Sequence, residues 1–600
     1  MPATLRPRPR LAHLLPLVLA AGVLAGPARA QTPFDVEHVD WTLTPAADGS
    51  VFHMEMELAP LFQRDRIVLR IPLWRPGSYR YADYQDAIHD LVAVDQDGKE
   101  RAIEALDARA WEVDAAGATS LTVRYDLDVR DAAEEDAPPV VHVHSPAAFL
   151  YVEEYLDLPH HLRFVLPTGW EHASGHRPHP ELEGVFYSPN YDVFVDCPIV
   201  VGRFERHGFE LHDRPIEVVL WGKLPTEEEF PREEWVEKVR RICDAAYDVV
   251  GDFPFERYVF LFGFTDIGGG YGLEHLNSTT IEFNHRSIKA GRVQGLESVT
   301  AHEFFHLWNV KRIRPEVLGP FDYSTDARTK DLWWMEGVTS YYTDVILQRA
   351  GLRPDPDWFL RAQAANLGGM MGLPAYGEVS PERSSWTVWD GRQQISYYDQ
   401  GQALGFLMDV LIRHHTGNRR SLDDVVRFLH RWVDYPDRGL RPDDLRRAVR
   451  AVTGWDCDRF FDRYVRGSQR FPFAEVLPLA GIEVVAYQPG DPYLGLPLDG
   501  ELRLSRDLPD TDPPLERGDH LVRVDGKKVK SSVQLRELVS GLTPGVSVEL
   551  RFRRKGQELV VEWKVKERNR SGVHFVPLTD ADDDSRAILQ GILEGFPEGV

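Results

Sequence analysis

The five residues His302-Glu303-Phe304-Phe305-His306 constrain this chain most, because H-E-x-x-H puts two imidazoles one turn apart on one face only if the segment is an α-helix. Two nitrogens then meet one metal ion. A catalytic zinc takes three protein ligands and keeps a fourth position for water, so another element has to bring the third. Thirty residues on, Leu332-Trp333-Trp334-Met335-Glu336-Gly337-Val338-Thr339-Ser340-Tyr341-Tyr342 carries one acid in an apolar and small-residue stretch. A carboxylate buried there without a partner is costly, and a metal supplies one, so Glu336 is the expected third ligand. Glu303 then stands where a carboxylate takes a proton from water and passes it to a leaving group. Asp344, two turns beyond Glu336, is either an orienting partner for a ligand histidine or a solvated helix-face acid. Two imidazoles with one carboxylate suit a single zinc ion best among divalent metals.

The rest of the chain divides by pattern. At 600 residues and 43% apolar content it has material for several cores. Arg6, Arg8 and Arg10, an apolar run from Leu11 to Leu24 and then Ala28-Arg29-Ala30 read as a signal peptide over residues 1–30. This predicts an exported chain, periplasmic or secreted after cleavage near Ala30. No later apolar run is long enough to span a bilayer, so no stable membrane insertion is expected. The net charge of -25 disfavours nucleic acid and anionic membranes as partners. Residues 31–205 alternate with period two, as in Val51-Phe52-His53-Met54-Glu55-Met56-Glu57-Leu58, and predict an antiparallel β domain. Residues 206–477 mix strand-like runs with a helical stretch from Glu233 to Val250. They then turn mainly helical, with runs at Gly295 to Ile313, Leu332 to Gly351, Gly401 to Gly417 and Leu422 to Val433. Cys197, Cys243 and Cys457 show neither ligand nor disulfide spacing and are expected as buried thiols.

From 478 to 570 the pattern returns to strands around Leu515-Glu516-Arg517-Gly518-Asp519-His520-Leu521-Val522-Arg523-Val524-Asp525-Gly526, with a short helix at Val533 to Ser540. This segment resembles a PDZ domain, with Tyr493-Leu494-Gly495-Leu496 in the place of the carboxylate-binding loop. The resemblance implies a peptide C-terminus or an unfolded chain as partner. Residues 571–600 are expected to form an acidic C-terminal tail.

Motifs across the catalytic region carry a second likeness: HEFFHLWNVKRIRP from His302, WWMEGVTSYY from Trp333, GGGYGLEHLNST from Gly268 and SYYDQG from Ser396, with IPLWRPGSYRYADY from Ile71 ahead of them. The chain resembles the glycyl aminopeptidases, zinc peptidases whose third ligand is glutamate (gluzincins) and which bear a C-terminal PDZ domain. The resemblance implies a multidomain α+β architecture: an N-terminal antiparallel β domain, a thermolysin-like mainly helical catalytic domain and a PDZ-like β domain. It further implies an aminopeptidase that releases small residues such as Gly or Ala from peptide substrates. By the same likeness Glu274 holds the substrate's free amine, with Gly272 and Leu273 on the strand edge beside the peptide backbone. Tyr398 directs its hydroxyl at the developing oxyanion, the spacing to Gly401 favouring it over Tyr397. Two positions depart from the family pattern: His275 stands where the broader aminopeptidases have asparagine, and Gln400 where lysine is usual. Two other readings remain at this stage, an endopeptidase in which Glu274 grips no amine and a non-catalytic exported peptide-binding protein that keeps zinc structurally. A structural site needs neither Glu303 nor Tyr398, which weighs against the last.

Overall fold

Strand Val51–Ala59 buries Phe52, Met54, Met56 and Leu58 and turns His53, Glu55 and Glu57 outward, as period-two alternation requires. Its antiparallel register against Leu121–Asp128 sets those four against Leu127, Tyr125, Val123 and Leu121, so core faces core. The computed structural model describes residues 37–595 apart from 61–63, 130–139, 267–269, 354, 434, 500–501 and 579. The segment read as a signal peptide lies outside the described residues. Sheets of eight, four and three strands make up the N-terminal β domain. One pair departs from the antiparallel expectation: His38–Pro45 runs parallel to His160–Phe164, which a long crossover rather than a hairpin connects.

The catalytic region opens with a five-stranded sheet in the order Glu205–Leu211, Arg214–Gly222, Tyr258–Thr265, Ser278–Asn284, Gly270–Glu274. Tyr258–Thr265 is parallel to both neighbours and buried on both faces, hence its unbroken apolar run. Alternation sends Tyr258, Phe260, Phe262 and Phe264 into the core shared with helices Arg232–Val250 and Gln294–Phe305. Val259 and Leu261 face the other way, onto Val140, Ala173 and Val200 of the three-stranded N-terminal sheet. The N-terminal domain therefore covers one face of the catalytic sheet while helices cover the other. Gly270–Glu274 is left as an edge strand, antiparallel to Ser278–Asn284.

The helical half follows the apolar periodicity, with Thr339–Arg349, Tyr397–His415 and Leu422–Val433 where the pattern places them. The run expected to continue to Ile313 ends earlier, at Phe305, because His306 caps the helix and its ring bonds the Asn309 carbonyl in the turn that follows. All three cysteines are buried thiols. Among the described residues no helix is long and apolar enough to cross a membrane.

The PDZ region forms a four-stranded sheet of His520–Val524, Lys527–Lys528, Ser547–Arg554 and Gln557–Lys564, with helix Ser532–Ser540 over a separate leucine- and valine-rich core. The residues after it, expected as an acidic tail, take up regular structure. Gly572–Pro577 pairs with Ile482–Tyr487, and helix Asp583–Glu594 packs back on the catalytic helices. Acidic residues Asp583 and Asp584 occupy its first turn, while Ile588 and Ile592, one turn apart, are buried. Arg413 and Arg349 bond the Gly591 and Ile592 carbonyls, so the helix end is held by two side chains of the catalytic domain.

Candidate active site

The helix Gln294–Phe305 and the turn after it present His302 and His306 with ring centroids 4.6 Å apart and planes at 87°. One oxygen of Glu336, Oε2, lies 3.5 Å from His302 Nε2 and 3.1 Å from His306 Nε2. The three donor atoms thus converge as one ion would require. Glu336 is held on a π-helical turn, Trp333–Val338. That turn meets the helix bearing Tyr398 at two glycines. A β-carbon on Gly401 would strike the Trp333 carbonyl, and one on Gly337 the Gly401 backbone, so only glycine lets the two approach.

The far nitrogens of both rings are occupied. His306 Nδ1 donates to the Asn309 carbonyl at 2.6 Å and His302 Nδ1 to Thr343 Oγ1 at 3.2 Å, which leaves each Nε2 to face Glu336. Thr343, and not Asp344, is therefore the orienting partner. Asp344 accepts from Gln363 and Gln402 at 2.8 and 2.9 Å, and burial pushes its carboxyl up to about 7. Asn309 does a second job: its amide donates to the Trp334 and Met335 carbonyls at 3.0 and 3.2 Å, tying the turn that orients His306 to the turn that carries Glu336. Neither Asn309 nor Thr343 is assigned a role by sequence reasoning, although both lie inside or beside the quoted motifs.

Glu303 is buried, and its Oε2 has no hydrogen-bond partner. Burial holds its carboxyl well above the usual range, against the pull of His306 and with Glu274 and Glu336 adding to the rise. Burial would also raise Glu336, but His306 and His302 outweigh it and hold that carboxylate well below the usual range. His306 is the converse case: burial opposes its charge, yet Glu336, Glu274 and Glu303 push its pKa up to about 10 in the metal-free protein. Three acids around two imidazoles form a site short of positive charge, which fits a divalent cation.

The edge strand Gly270–Glu274 runs beside this centre. A β-carbon on Gly272 would overlap the Glu303 carboxylate, so glycine there is what makes room for the acid. Leu273 is buried against the Arg75-Pro76-Gly77 turn of the N-terminal domain. Glu274 is buried and comes within 4.8 Å of Glu303 and His306, donor atom to donor atom. Burial raises its carboxyl most, with His306 and Lys311 favouring the charge. Lys311 in turn pairs with Asp196 at 2.6 Å, and Asp196 accepts the Leu276 amide at 2.7 Å, which pins the chain just past Glu274. Tyr398 stacks beside His302, centroids 6.1 Å apart, and burial holds its phenol well above the ordinary value, so it remains a neutral donor. Tyr397 stacks on Tyr398 at 4.8 Å. Tyr79, from the IPLWRPGSYRYADY segment, reaches in from the N-terminal domain and donates to Glu336 Oε1 at 3.4 Å. The sequence contained Tyr79 in a motif without showing that the domain carrying it closes over the site.

Residues 296–404 match the family described as M61 glycyl aminopeptidase, residues 42–203 the peptidase M61 N-terminal domain, and residues 506–565 a PDZ domain. No curated protein matches the chain. Among solved structures, an aminopeptidase N family protein from Idiomarina loihiensis is similar with a TM-score of 0.71 and 21% identity, covering 92% of this chain and 100% of that one. That likeness establishes a shared fold. An M1 zinc metallopeptidase from Deinococcus radiodurans is similar at a TM-score of 0.46 and 18% identity, over 74% of this chain and 96% of its own. Leukotriene A4 hydrolase from Saccharomyces cerevisiae is similar at 0.43 and 13%, over 71% and 66%.

Proposed function

From the premise that this chain carries the catalytic and N-terminal domains of the M61 glycyl aminopeptidases followed by a PDZ domain, and so is a peptidase, we propose that it is a zinc-dependent aminopeptidase. His302, His306 and Glu336 would hold the ion. When bound, zinc supplies Lewis-acid polarisation of a carbonyl and makes water acidic enough to react near neutral pH. The protein's own groups supply the rest. Glu303, whose burial favours its taking up a proton, accepts one from the attacking water and returns it to the departing amine. Tyr398 donates from its phenol to the carbonyl oxygen as negative charge builds there, a contact stronger in the transition state than before it. The substrate's backbone lies along the open edge of Gly270–Glu274, beside Gly272 and Leu273, since that strand is paired on one side with Ser278–Asn284 and ends its sheet.

The observation that carries the aminopeptidase reading is the buried Glu274 at the end of that edge, one carboxylate beyond what a metal and a base require. It would pair with the substrate's ammonium group and set which peptide bond reaches the centre. Gly77 and Tyr79 of the N-terminal domain come up against Glu274 and Glu336, and release of small residues such as Gly or Ala is what the likeness to the glycyl aminopeptidases implies. Glu274→Ala is expected to lower kcat/KM for free-amine peptides about 100-fold or more, the order set by loss of a buried charge partner, with zinc content unchanged. N-acetylated peptides are expected to be poor substrates of both forms. Equal cleavage of free and acetylated peptides by the unmodified enzyme would make it an endopeptidase instead.

We propose further that the PDZ domain takes a peptide C-terminus. A cavity of about 760 Å³ is lined by Leu494, Gly495 and Leu496, by Leu535 and Val539 of helix Ser532–Ser540 and by helix Pro356–Met371 of the catalytic domain, with Arg361, Arg536 and Arg568 as well as Asp357, Asp491 and Asp499 at its walls. Apolar walls with cations suit a chain end. A labelled free-acid peptide is expected to bind and its C-terminal amide to bind at least tenfold more weakly, read by fluorescence anisotropy. Equal affinity of the two would remove the carboxylate role.

A further inference from the structure

We propose that His142, His144 and Glu282 form a second divalent-metal site, distinct from the catalytic centre. His142 and His144 stand two residues apart at the end of strand Val140–Val143, so extended backbone turns both rings to one side. Glu282 comes from Ser278–Asn284 of the catalytic sheet, directly opposite Tyr271 on the substrate edge strand. The donor atoms of the three fall within 4.8 Å of one another, as do those of the catalytic trio.

The two clusters match in ring spacing and in one histidine–carboxylate separation. The His142 and His144 rings are 4.6 Å apart with planes at 76°, against 4.6 Å and 87° for His302 and His306. His142 Nδ1 is 3.1 Å from Glu282 Oε1, the same separation as His306 from Glu336. His142 Nε2 is within 3.3 Å of Thr280 Oγ1, an orienting contact like that of Thr343 with His302. The side chains of His142 and Glu282 are 5% and 14% exposed. His144 Nδ1 is buried without a hydrogen-bond partner, an unmet acceptor or donor beside the part-buried Glu282. A cation satisfies both at once, and two imidazoles with a carboxylate select zinc or a neighbouring transition ion. The cluster opens on a cavity of about 1120 Å³, which leaves space for water in a remaining ligand position. Asp83, Asp86 and Asp266 line that cavity together with Arg75, Arg80 and Lys223; the Arg75 guanidinium is bonded to the Tyr271 hydroxyl at 2.8 Å and Lys223 pairs with Asp266.

An ion here bridges the N-terminal domain to the strand that backs the substrate edge. It would hold that edge in place without touching the reacting atoms, a positioning role. The surface cluster His38, Asp40 and His161 is the natural control: Asp40 already bonds both histidines with its two oxygens, and its side chain is 42% exposed.

The test is a zinc count by mass spectrometry on the full chain, stripped of metal, refilled and passed through a desalting column. The unmodified protein is expected to hold two zinc ions, Glu336→Ala one, His144→Ala one, and the double variant none. His144→Ala is expected to raise KM while keeping kcat, and His161→Ala to leave the count at two. One ion in the unmodified protein, none in Glu336→Ala, or two in His144→Ala would overturn the proposal. Should His144→Ala not fold, the count in Glu336→Ala decides alone, and a fall on His161→Ala would move the second ion to the surface cluster.

Discussion

Glu303→Gln is expected to keep its catalytic zinc and lose about 10²- to 10⁴-fold in kcat, the range that a positioned general base contributes. Glutamine fills the gap beneath Gly272 as glutamate does, so the strand edge and the histidines stay in place. What it lacks is an oxygen that can take a proton. The comparison requires kcat on a free-amine peptide and metal analysis of the same sample. Retained turnover would remove Glu303 from the base role. Loss of zinc would mean something different, because the structure brings Glu274, Glu303 and His306 together as well as His302, His306 and Glu336. An ion held by the former set would leave with Glu303.

Glu336→Ala separates the two sets from the other side and is expected to abolish activity by emptying the catalytic centre. The loss of metal affinity should exceed the roughly 10- to 100-fold typical of losing an outer hydrogen-bond partner, since Glu336 would itself be a ligand. Dialysis and metal analysis measure it, and activity that survives with metal retained would assign the ion elsewhere. The same centre makes a pH prediction. Without metal, His306 is protonated up to about pH 10, whereas a ligand imidazole is neutral. Zinc uptake at pH 7 to 8 therefore releases a proton, and affinity rises with pH across that interval, by about tenfold per unit for each proton displaced. Titration in buffers of different ionisation enthalpy reads the proton directly.

Much of this was legible because it depends on local periodicity. Alternation at Val51-Phe52-His53-Met54 named the buried face of its strand, and the helical runs at Thr339–Arg349 and Leu422–Val433 formed where the apolar residues recur. The spacing of His302 and His306 is likewise a property of one helix. What was not legible depends on contacts between segments distant in sequence. Thr343 rather than Asp344 reaches His302, because the helix Thr339–Arg349 packs on the histidine helix through that face and turns Asp344 toward Gln363 and Gln402. Helix Asp583–Glu594 looked like a tail because its acids are plain in sequence, whereas the two isoleucines that dock it are only four residues apart.

The catalytic trio shows the division most clearly. The sequence alone determined which residues are able to bind metal and take a proton, since those are properties of side chains and of a helical turn. Only the tertiary structure decided that Glu336 meets the histidines, that Glu274 and Tyr398 flank them, and that Tyr79 and Gly77 close the site from another domain. The reason is physical: each of those distances is set by packing across the chain, through Gly337 against Gly401 and the N-terminal sheet against the catalytic one, and packing is not written in any single segment.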